Sequence, residues 1–488
     1  MTLELGELDA MCEQWIGANL NGKRLYKQNL IVYYLFCKAM KIKVGAYNTK
    51  LNSKRDTRLT IPIRIEDVKG NVMSTSAEVQ MTPITYFWGK SPSVAFSLLY
   101  LSAIVYAIDR CVERHIHSID GWSREFDVDI LIPEFQTFQP LEGQINAMLS
   151  FLTGDYWGCH FVGPTNVRYG RYKNTNYYDG ITQVNLFSGG MDSLIGAIDY
   201  LTDNPDAKLF LASHYDSNMS ARPEQDNLKK LFALKFANRF CSIPAIKVDP
   251  GLSLENSCRS RSLMFISIAL IVASYSNCDV IVPENGSVSL NYPLSASRRS
   301  SCSTRTTHPV FLKQLSDIIA TLGFSSRIEN PYVKMTKGEM VQECSDKDYL
   351  LQVVAESNSC GKKSKKQFFN DNREATHCGH CMPCMYRRAA MIGEDDPTTY
   401  GNRLITLYNL KSHNIANSLP NDFFAMLEFL KKDLTREEIK KELRIAGMAG
   451  FDDLDEYVDL VVRTRAELGA MIREDNNATI LRYLDWNL

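Results

Sequence analysis

The chain has 488 residues, 45% hydrophobic and 23% charged, and its 55 Lys+Arg against 56 Asp+Glu leave a formal charge of −1. At about 150 residues per domain this predicts some three domains, enough for an enzyme. Such composition excludes extended disorder and a collagenous chain, and without a basic excess nucleic acid is not expected as the main partner, because phosphate contacts need cations.

The start of the chain, Met1-Thr2-Leu3-Glu4-Leu5, carries an acid where a secretory signal would be basic and then apolar, so no export is expected. Between 58 and 66, Leu59, Ile61, Ile63 and Ile65 alternate with Arg58, Thr60, Pro62, Arg64 and Glu66. That is the period of a strand with one buried face, and Lys69-Gly70-Asn71 supplies a turn after it. The apolar stretches 94–108 and 263–275 fall short of the ~20 residues that cross a bilayer and predict buried helices, with no membrane partner. A further strand is expected at 126–132, and 151–161 is aromatic-rich. Residues 1–180 read as an α+β domain without a cluster of catalytic spacing, which assigns them to acceptor or partner recognition.

From Gln183 the pattern changes to short apolar runs, at 184–187, 209–213, 246–249, 280–283 and 327–329, each followed by a helical segment. Strands alternating with helices predict an α/β fold with a parallel sheet covered on both faces, here residues 181–394. After 395 the chain is helical to 488, with Thr435-Arg436-Glu437-Glu438 as a capping box before Ile439 and Leu443.

The strongest chemical signal follows the first parallel strand, in Phe187-Ser188-Gly189-Gly190-Met191-Asp192-Ser193. Glycines let a backbone approach an anion, and a helix starting here turns free N–H groups and its positive end toward a phosphate. Ser188 and Ser193 add hydroxyl donors, and Asp192 suits the Mg²⁺ that accompanies a nucleotide, which makes these three the expected catalytic residues. The bland alternative is a Ser/Gly turn that caps a helix. A Walker loop is excluded, because Gly89-Lys90-Ser91 has Ile84 where that motif needs its first glycine. His214 and Tyr215 follow the second strand, at the edge where open parallel sheets bind ligands, so His214 is an expected ATP contact and a packed core pair its alternative.

Thirteen cysteines are scattered except for Cys360 and the group Cys378-Gly379-His380-Cys381-Met382-Pro383-Cys384. This is not the distribution of a secreted disulfide scaffold and predicts a reducing, cytoplasmic compartment. Four thiolates at this spacing predict a closed tetrahedral Zn²⁺ site with a folding role, and an iron–sulfur cluster uses similar spacings. His377 and His380 are competing ligands that read better as supporting or surface groups.

Ser188 to Ser193 resembles the PP-loop of the ATP pyrophosphatase superfamily, whose members cleave ATP between the α- and β-phosphates. Together with the cysteine group it resembles the QueC family of 7-cyano-7-deazaguanine synthases over about 183–391. Further matches in the same order are Arg261-Ser262-Leu263-Met264-Phe265, Asn291-Tyr292-Pro293, Lys334-Met335-Thr336-Lys337-Gly338-Glu339 and Cys384-Met385-Tyr386-Arg387. The resemblance implies an adenine nucleotide alpha hydrolase-like, Rossmann-like fold with a zinc knuckle. It also implies ATP, Mg²⁺ and Zn²⁺ as cofactors, with Arg261 on the nucleotide and Glu284, Asn285, Tyr292, Arg305 and Lys337 on the substrate.

The implied activity is adenylation of the carboxylate of 7-carboxy-7-deazaguanine, with release of PPi, and transfer to an amine. Departures lie at Pro283-Glu284-Asn285-Gly286-Ser287, at Leu294-Ser295-Ala296, and in the basic run from Arg298 to His308. Arg305 reads equally as a phosphate or carboxylate clamp and as a solvated arginine, and Glu284 equally as a purine or Mg²⁺ ligand and as a turn cap. The added N- and C-terminal regions resemble the longer QueC-like proteins of bacterial antiphage defence clusters, of the Qat or cyclic-nucleotide signalling type. This implies a protein acceptor from the same gene cluster, its N-terminal amine taking the place of ammonia. The alternatives are an ammonia-using nitrile or amide synthase and an inactive nucleotide-binding scaffold.

Overall fold

The computed structural model describes residues 40–44, 58–119, 122–163, 167, 169, 178–215, 222–255, 257–295, 305–412 and 421–486. The start of the chain, the Tyr215 side chain, Ala296 and the basic run up to Thr304 lie outside the described residues.

The N-terminal region contributes β1 (Met40–Val44), β2 (Arg58–Glu66), β3 (Val72–Gln80), β4 (Glu125–Leu131) and β5 (Tyr156–Val162), with helices α1 (Ser93–Cys111) and α2 (Glu142–Thr153). β2 forms where its alternation predicts, with Leu59, Ile61, Ile63 and Ile65 all at most 3% exposed. The turn after it holds Gly70 at φ +83° and closes on Asp67, whose carboxylate accepts from the Lys69 and Asn71 N–H groups.

The next region supplies β6 (Gln183–Leu186), α3 (Met191–Asp203), β7 (Leu209–Ala212), β8 (His214–Tyr215), α4 (Arg222–Phe236), β9 (Phe240–Ser242), β10 (Ile246–Asp249), α5 (Arg261–Ser276), β11 (Val280–Ile281), α6 (Pro309–Thr321) and β12 (Ile328–Glu329). Five of these strands form an all-parallel sheet in the order β12-β11-β6-β7-β9. Its two faces enter different cores: Val184, Phe210 and Val280 pack toward α5, α6 and the N-terminal region, and Leu209 and Leu211 toward α3 and α4. A mixed α/β protein rich in parallel pairing is what the alternation predicts.

One strand departs from expectation. The segment 246–249, read as part of the parallel sheet, instead pairs antiparallel with β3 and parallel with β8, ending a seven-stranded sheet β5-β4-β1-β2-β3-β10-β8. Its Ile246 and Val248 are buried while Lys247 and Asp249 pair with each other outside. A strand with one polar face suits a sheet covered on one side, and the inner strands of a doubly covered sheet need two apolar faces. The seven-stranded sheet therefore crosses the division expected at residue 180.

α1 is buried along nearly its whole length and packs on α5, so the two apolar helices lie between the sheets. Among the described residues α1 is long and apolar enough to cross a membrane, but 94% of its apolar window is inside the protein. At its C-terminal end Asp109 is fully buried and accepts from Arg124 Nη2 at 2.6 Å, and Arg124 Nη2 also reaches Asp155 at 2.7 Å. Arg114 holds Asp155 with both terminal nitrogens at 2.7 Å. Asp109 Oδ2 also accepts from Ser260 Oγ at 2.8 Å, just before α5. Removing one partner of such a network strands a buried charge, so Asp109→Ala should lower unfolding free energy by about 3–5 kcal/mol. Urea titration checks this, and a loss under about 1 kcal/mol would show that the guanidinium groups find other partners.

The C-terminal part adds α7 (Lys337–Gln342), whose Met340 and Val341 join the core under α3 and α4, and then α8 (Met382–Ala390), α9 (Leu404–Ser412), α10 (Asn421–Lys431), α11 (Arg436–Leu443) and α12 (Leu454–Asp475) around a core of their own. The capping box before α11 is formed, with Thr435 and Glu438 exchanging bonds.

Candidate functional site

In an open parallel sheet ligands bind outside the carboxyl ends of the strands, where the winding reverses. Here the chain leaves β6 toward β7 on one side, while β11 lies on the other. The crevice between the ends of β6 and β11 opens into a cavity of about 780 Å³ lined by Ser188, Gly190, Asp192, Glu284, Lys337 and others.

The loop after β6 is shaped by its own residues. Gly189 takes φ +85°, a conformation that side chains disfavour, and Gly190 is the N-cap of α3. Ser193 Oγ donates to the Gly190 carbonyl at 2.9 Å, the Gly190 N–H donates to Ser188 Oγ at 3.3 Å, and the two hydroxyls meet at 3.2 Å. Gln225 on α4 fixes the loop from outside, donating to the Ser188 carbonyl at 3.2 Å. The Ser188 hydroxyl and a helix N-terminus are thus presented to the cavity, a ready anion site, while Ser193 is buried behind them and braces the loop.

Asp192, in the first turn of α3, is 5% exposed and meets groups from two distant segments. Asn285 donates to its Oδ2 from the backbone at 3.2 Å and from Nδ2 at 2.7 Å, and the Lys337 ammonium pairs with Oδ1. Burial alone would raise the Asp192 carboxyl, but the Lys337 charge and hydrogen bonds from Glu284, Lys337 and Asn285 outweigh it and hold it below its usual value. Burial, with the Asp192 charge added, pushes the neighbouring Glu284 carboxyl well up. Two facing carboxylates form an all-oxygen donor set of the kind Mg²⁺ takes while keeping most of its waters. α12 braces this side: Ser287 and Thr464 hydroxyls lie 2.5 Å apart, Arg463 Nε reaches Glu339 at 2.6 Å, and Lys334 Nζ reaches Glu456 at 2.7 Å.

His214 and Arg261 line the cavity, His214 with its Nδ1 2.7 Å from the Ile246 carbonyl and its ring edge-on to Phe265. Other expected contacts lie elsewhere. The Phe187 and Met191 side chains are fully buried in the core, Phe187 against Phe232, and their N–H groups donate within the protein, to the Ala212 carbonyl at 2.7 Å and to Ser359 Oγ at 3.3 Å. Tyr292 is outside the cavity, packed 5.8 Å from the Phe429 ring. Arg305 is outside as well, its guanidinium 4.4 Å over the Phe151 ring and bonded to the Phe151 carbonyl at 3.0 Å. It ties the loop before α6 to α2. The opposite wall consists of residues not singled out from sequence, Ser359, Lys363 and Lys366 with Glu224, while Phe265 lines the cavity beside His214. The signal for the lysines was the run Gly361-Lys362-Lys363-Ser364-Lys365-Lys366 directly after Cys360, which reads as solvated charge and of which the fold sets Lys363 and Lys366 along the cavity.

Cys360, Cys378, Cys381 and Cys384 bring their sulfurs within 4.8 Å of one another, a cluster that could hold a metal ion such as zinc. Zinc–sulfur bonds of about 2.3 Å in a tetrahedron separate sulfurs by roughly 3.8 Å. Cys384 Sγ lies 3.7 Å from Cys378 Sγ and 3.4 Å from Cys381 Sγ. The Lys362 and Cys378 N–H groups point at Cys360 Sγ at 3.3 Å, and Cys381 N–H at Cys378 Sγ at 3.3 Å, as around a thiolate site. Hydrogen bonds from the Cys360, Cys381 and Cys384 thiols hold the Cys378 thiol low, and burial pushes Cys384 up. His377 and His380 are fully buried and stand outside the sulfur cluster, so neither is a surface group. Cys360 itself lines the cavity, which joins the two sites.

No protein-family profile matches the chain, and a search of curated proteins finds no match.

Proposed function

We propose that the cavity binds ATP with Mg²⁺ and that the protein is an AMP- and PPi-forming carbon–nitrogen ligase acting on a carboxylate, 7-carboxy-7-deazaguanine being the candidate implied by the resemblance to the QueC family. The observation that carries this reading is the Asp192–Glu284–Lys337 cluster beside a glycine loop at a helix N-terminus, at the reversal point of the parallel sheet. The loop, with Ser188 and Ser193, grips the β- and γ-phosphates. Asp192 and Glu284 would hold Mg²⁺, which supplies charge neutralisation of the phosphates. Lys337 faces the bond to be broken, and His214, Arg261 and Phe265 flank the nucleoside.

A substrate carboxylate oxygen then attacks the α-phosphorus, the bond from that phosphorus to the bridging oxygen breaks, and PPi departs as an acyl-adenylate forms. An amine attacks the acyl carbon and AMP leaves. Catalysis of this kind is positional and electrostatic, and no general base is required for the first step.

The transfer acceptor in this reading is the N-terminal amine of a partner protein in antiviral defence, recognised by the N-terminal region. Support for a link between the two parts is the Asp109 carboxylate, which accepts from Ser260 one residue before the cavity-lining Arg261. Incubation with MgATP, 7-carboxy-7-deazaguanine and ammonia as the probe amine should yield AMP and PPi in equal amounts, dependent on the carboxylate. ADP as the main nucleotide product would overturn the assignment, because it means transfer at the γ-phosphate.

A further inference from the structure

The wall facing the glycine loop is bonded to it. Asn358 N–H donates to the Gly189 carbonyl at 2.9 Å, and Met191 N–H donates to Ser359 Oγ at 3.3 Å. A side chain at Gly190 would meet the Ser359 hydroxyl at 3.4 Å, so the two strips of chain are in near contact. Cys360 follows in the sulfur cluster, and the lysine run from 361 to 366 then extends along the cavity, with Lys363 and Lys366 in its lining.

Lys363 is half-buried and paired. Its ammonium lies 2.6 Å from Glu224 Oε1, with the side chains only 28% and 19% exposed. Glu224 precedes Gln225, the residue bonded to the Ser188 carbonyl. The ion pair thus bridges two elements that each touch the glycine loop, and the second oxygen of Glu224 is buried without a hydrogen-bond partner.

We propose that Lys363 is a phosphate-binding residue for the nucleotide, held beside the loop by Glu224 and exchanging that carboxylate for β- and γ-phosphate oxygens when ATP binds. The assignment rests on the nucleotide reading of the cavity. A triphosphate presents more negative charge to the ammonium than one carboxylate, which favours the exchange. Glu224 competes for the same ammonium, so it lowers affinity and recovers Lys363 as pyrophosphate leaves. A buried carboxylate near phosphate is otherwise unfavourable.

The two partners should therefore act in opposite directions. In the full-length chain with its metal content checked, Lys363→Ala is expected to weaken MgATP and pyrophosphate binding by about 10-fold or more. Glu224→Gln, which keeps the shape and removes the competing charge, should tighten binding severalfold. Lys365→Ala, an exposed neighbour outside the cavity lining, is the control and should bind as wild type. Weaker binding in both Lys363→Ala and Glu224→Gln would mean the pair only braces the wall, and the assignment falls. It falls equally if Lys363→Ala binds as wild type while Asp192→Ala does not. Wild-type protein that binds neither MgATP nor pyrophosphate overturns the nucleotide reading and this assignment with it.

Discussion

Replacing Cys384 with serine is expected to remove the bound metal and most of the soluble yield. Its sulfur is fully buried at the centre of the cysteine cluster, 3.4 Å from Cys381 Sγ and 3.7 Å from Cys378 Sγ. Buried thiolates this close repel unless a cation joins them, and for structural zinc the binding free energy, about 10–16 kcal/mol in small peptides at neutral pH, is folding free energy. Segment 358–384 has no long helix or strand of its own and is held by the sulfurs, by backbone bonds of Asp371 and His377 to Gly401 and Thr399, and by Asn402, whose side chain reaches the Cys378 carbonyl at 2.8 Å. The cluster also anchors the wall that carries Lys363, so chelation should reduce MgATP binding together with stability. Elemental analysis of chelator-free protein should return one zinc per chain. Iron, or full metal content in the Cys384→Ser protein, would refute the site as drawn.

How far the sequence was legible depends on the length scale of each signal. β2 was readable because nine residues carry a full period-2 pattern, and Thr435 to Glu438 because a capping box is closed within one helical turn. The loop from Ser188 to Ser193 was readable for the same reason, its hydroxyls and glycines meeting within six residues. β9 was not, since Phe240–Ser242 is a three-residue edge strand too short to show a period, and β10 took its place in the expectation.

Long-range meetings left no local mark. Asp192 meets Asn285 across 93 residues and Lys337 across 145, whereas the resemblance implied Asn285 and Lys337 as substrate contacts and not as partners of Asp192. The same limit explains Tyr292 and Arg305: aromatic partners from α10 and from α2 turn them out of the cavity, and neither Phe429 nor Phe151 can be paired with them from the order of residues. Lys363 was missed because a lysine-rich loop usually lies in solvent, and its pairing with Glu224, 139 residues away, is an outcome of tertiary packing.

Asp192→Asn is expected to lower PPi formation at least 1,000-fold, about 4 kcal/mol of transition-state stabilisation, with the fold retained. The loss follows from charge and not from shape, because asparagine fills the same space and keeps one oxygen toward Asn285. What disappears is the anion that holds the Lys337 ammonium in place and would ligate Mg²⁺, in a site where fixed charges act undiluted by water. Stability should change little. Lys337 is only 4% exposed and would be left without its partner, but the neighbouring Glu284, whose carboxyl burial and the Asp192 charge both push up, becomes easier to ionise without that charge and can serve as the counter-ion. The expected signature is therefore an unfolding midpoint near that of wild type together with lost turnover. Turnover above one tenth of wild type would remove Asp192 from the chemistry and leave the cluster as a structural ion pair. A collapse of the unfolding midpoint would show instead that Lys337 needs this carboxylate to fold.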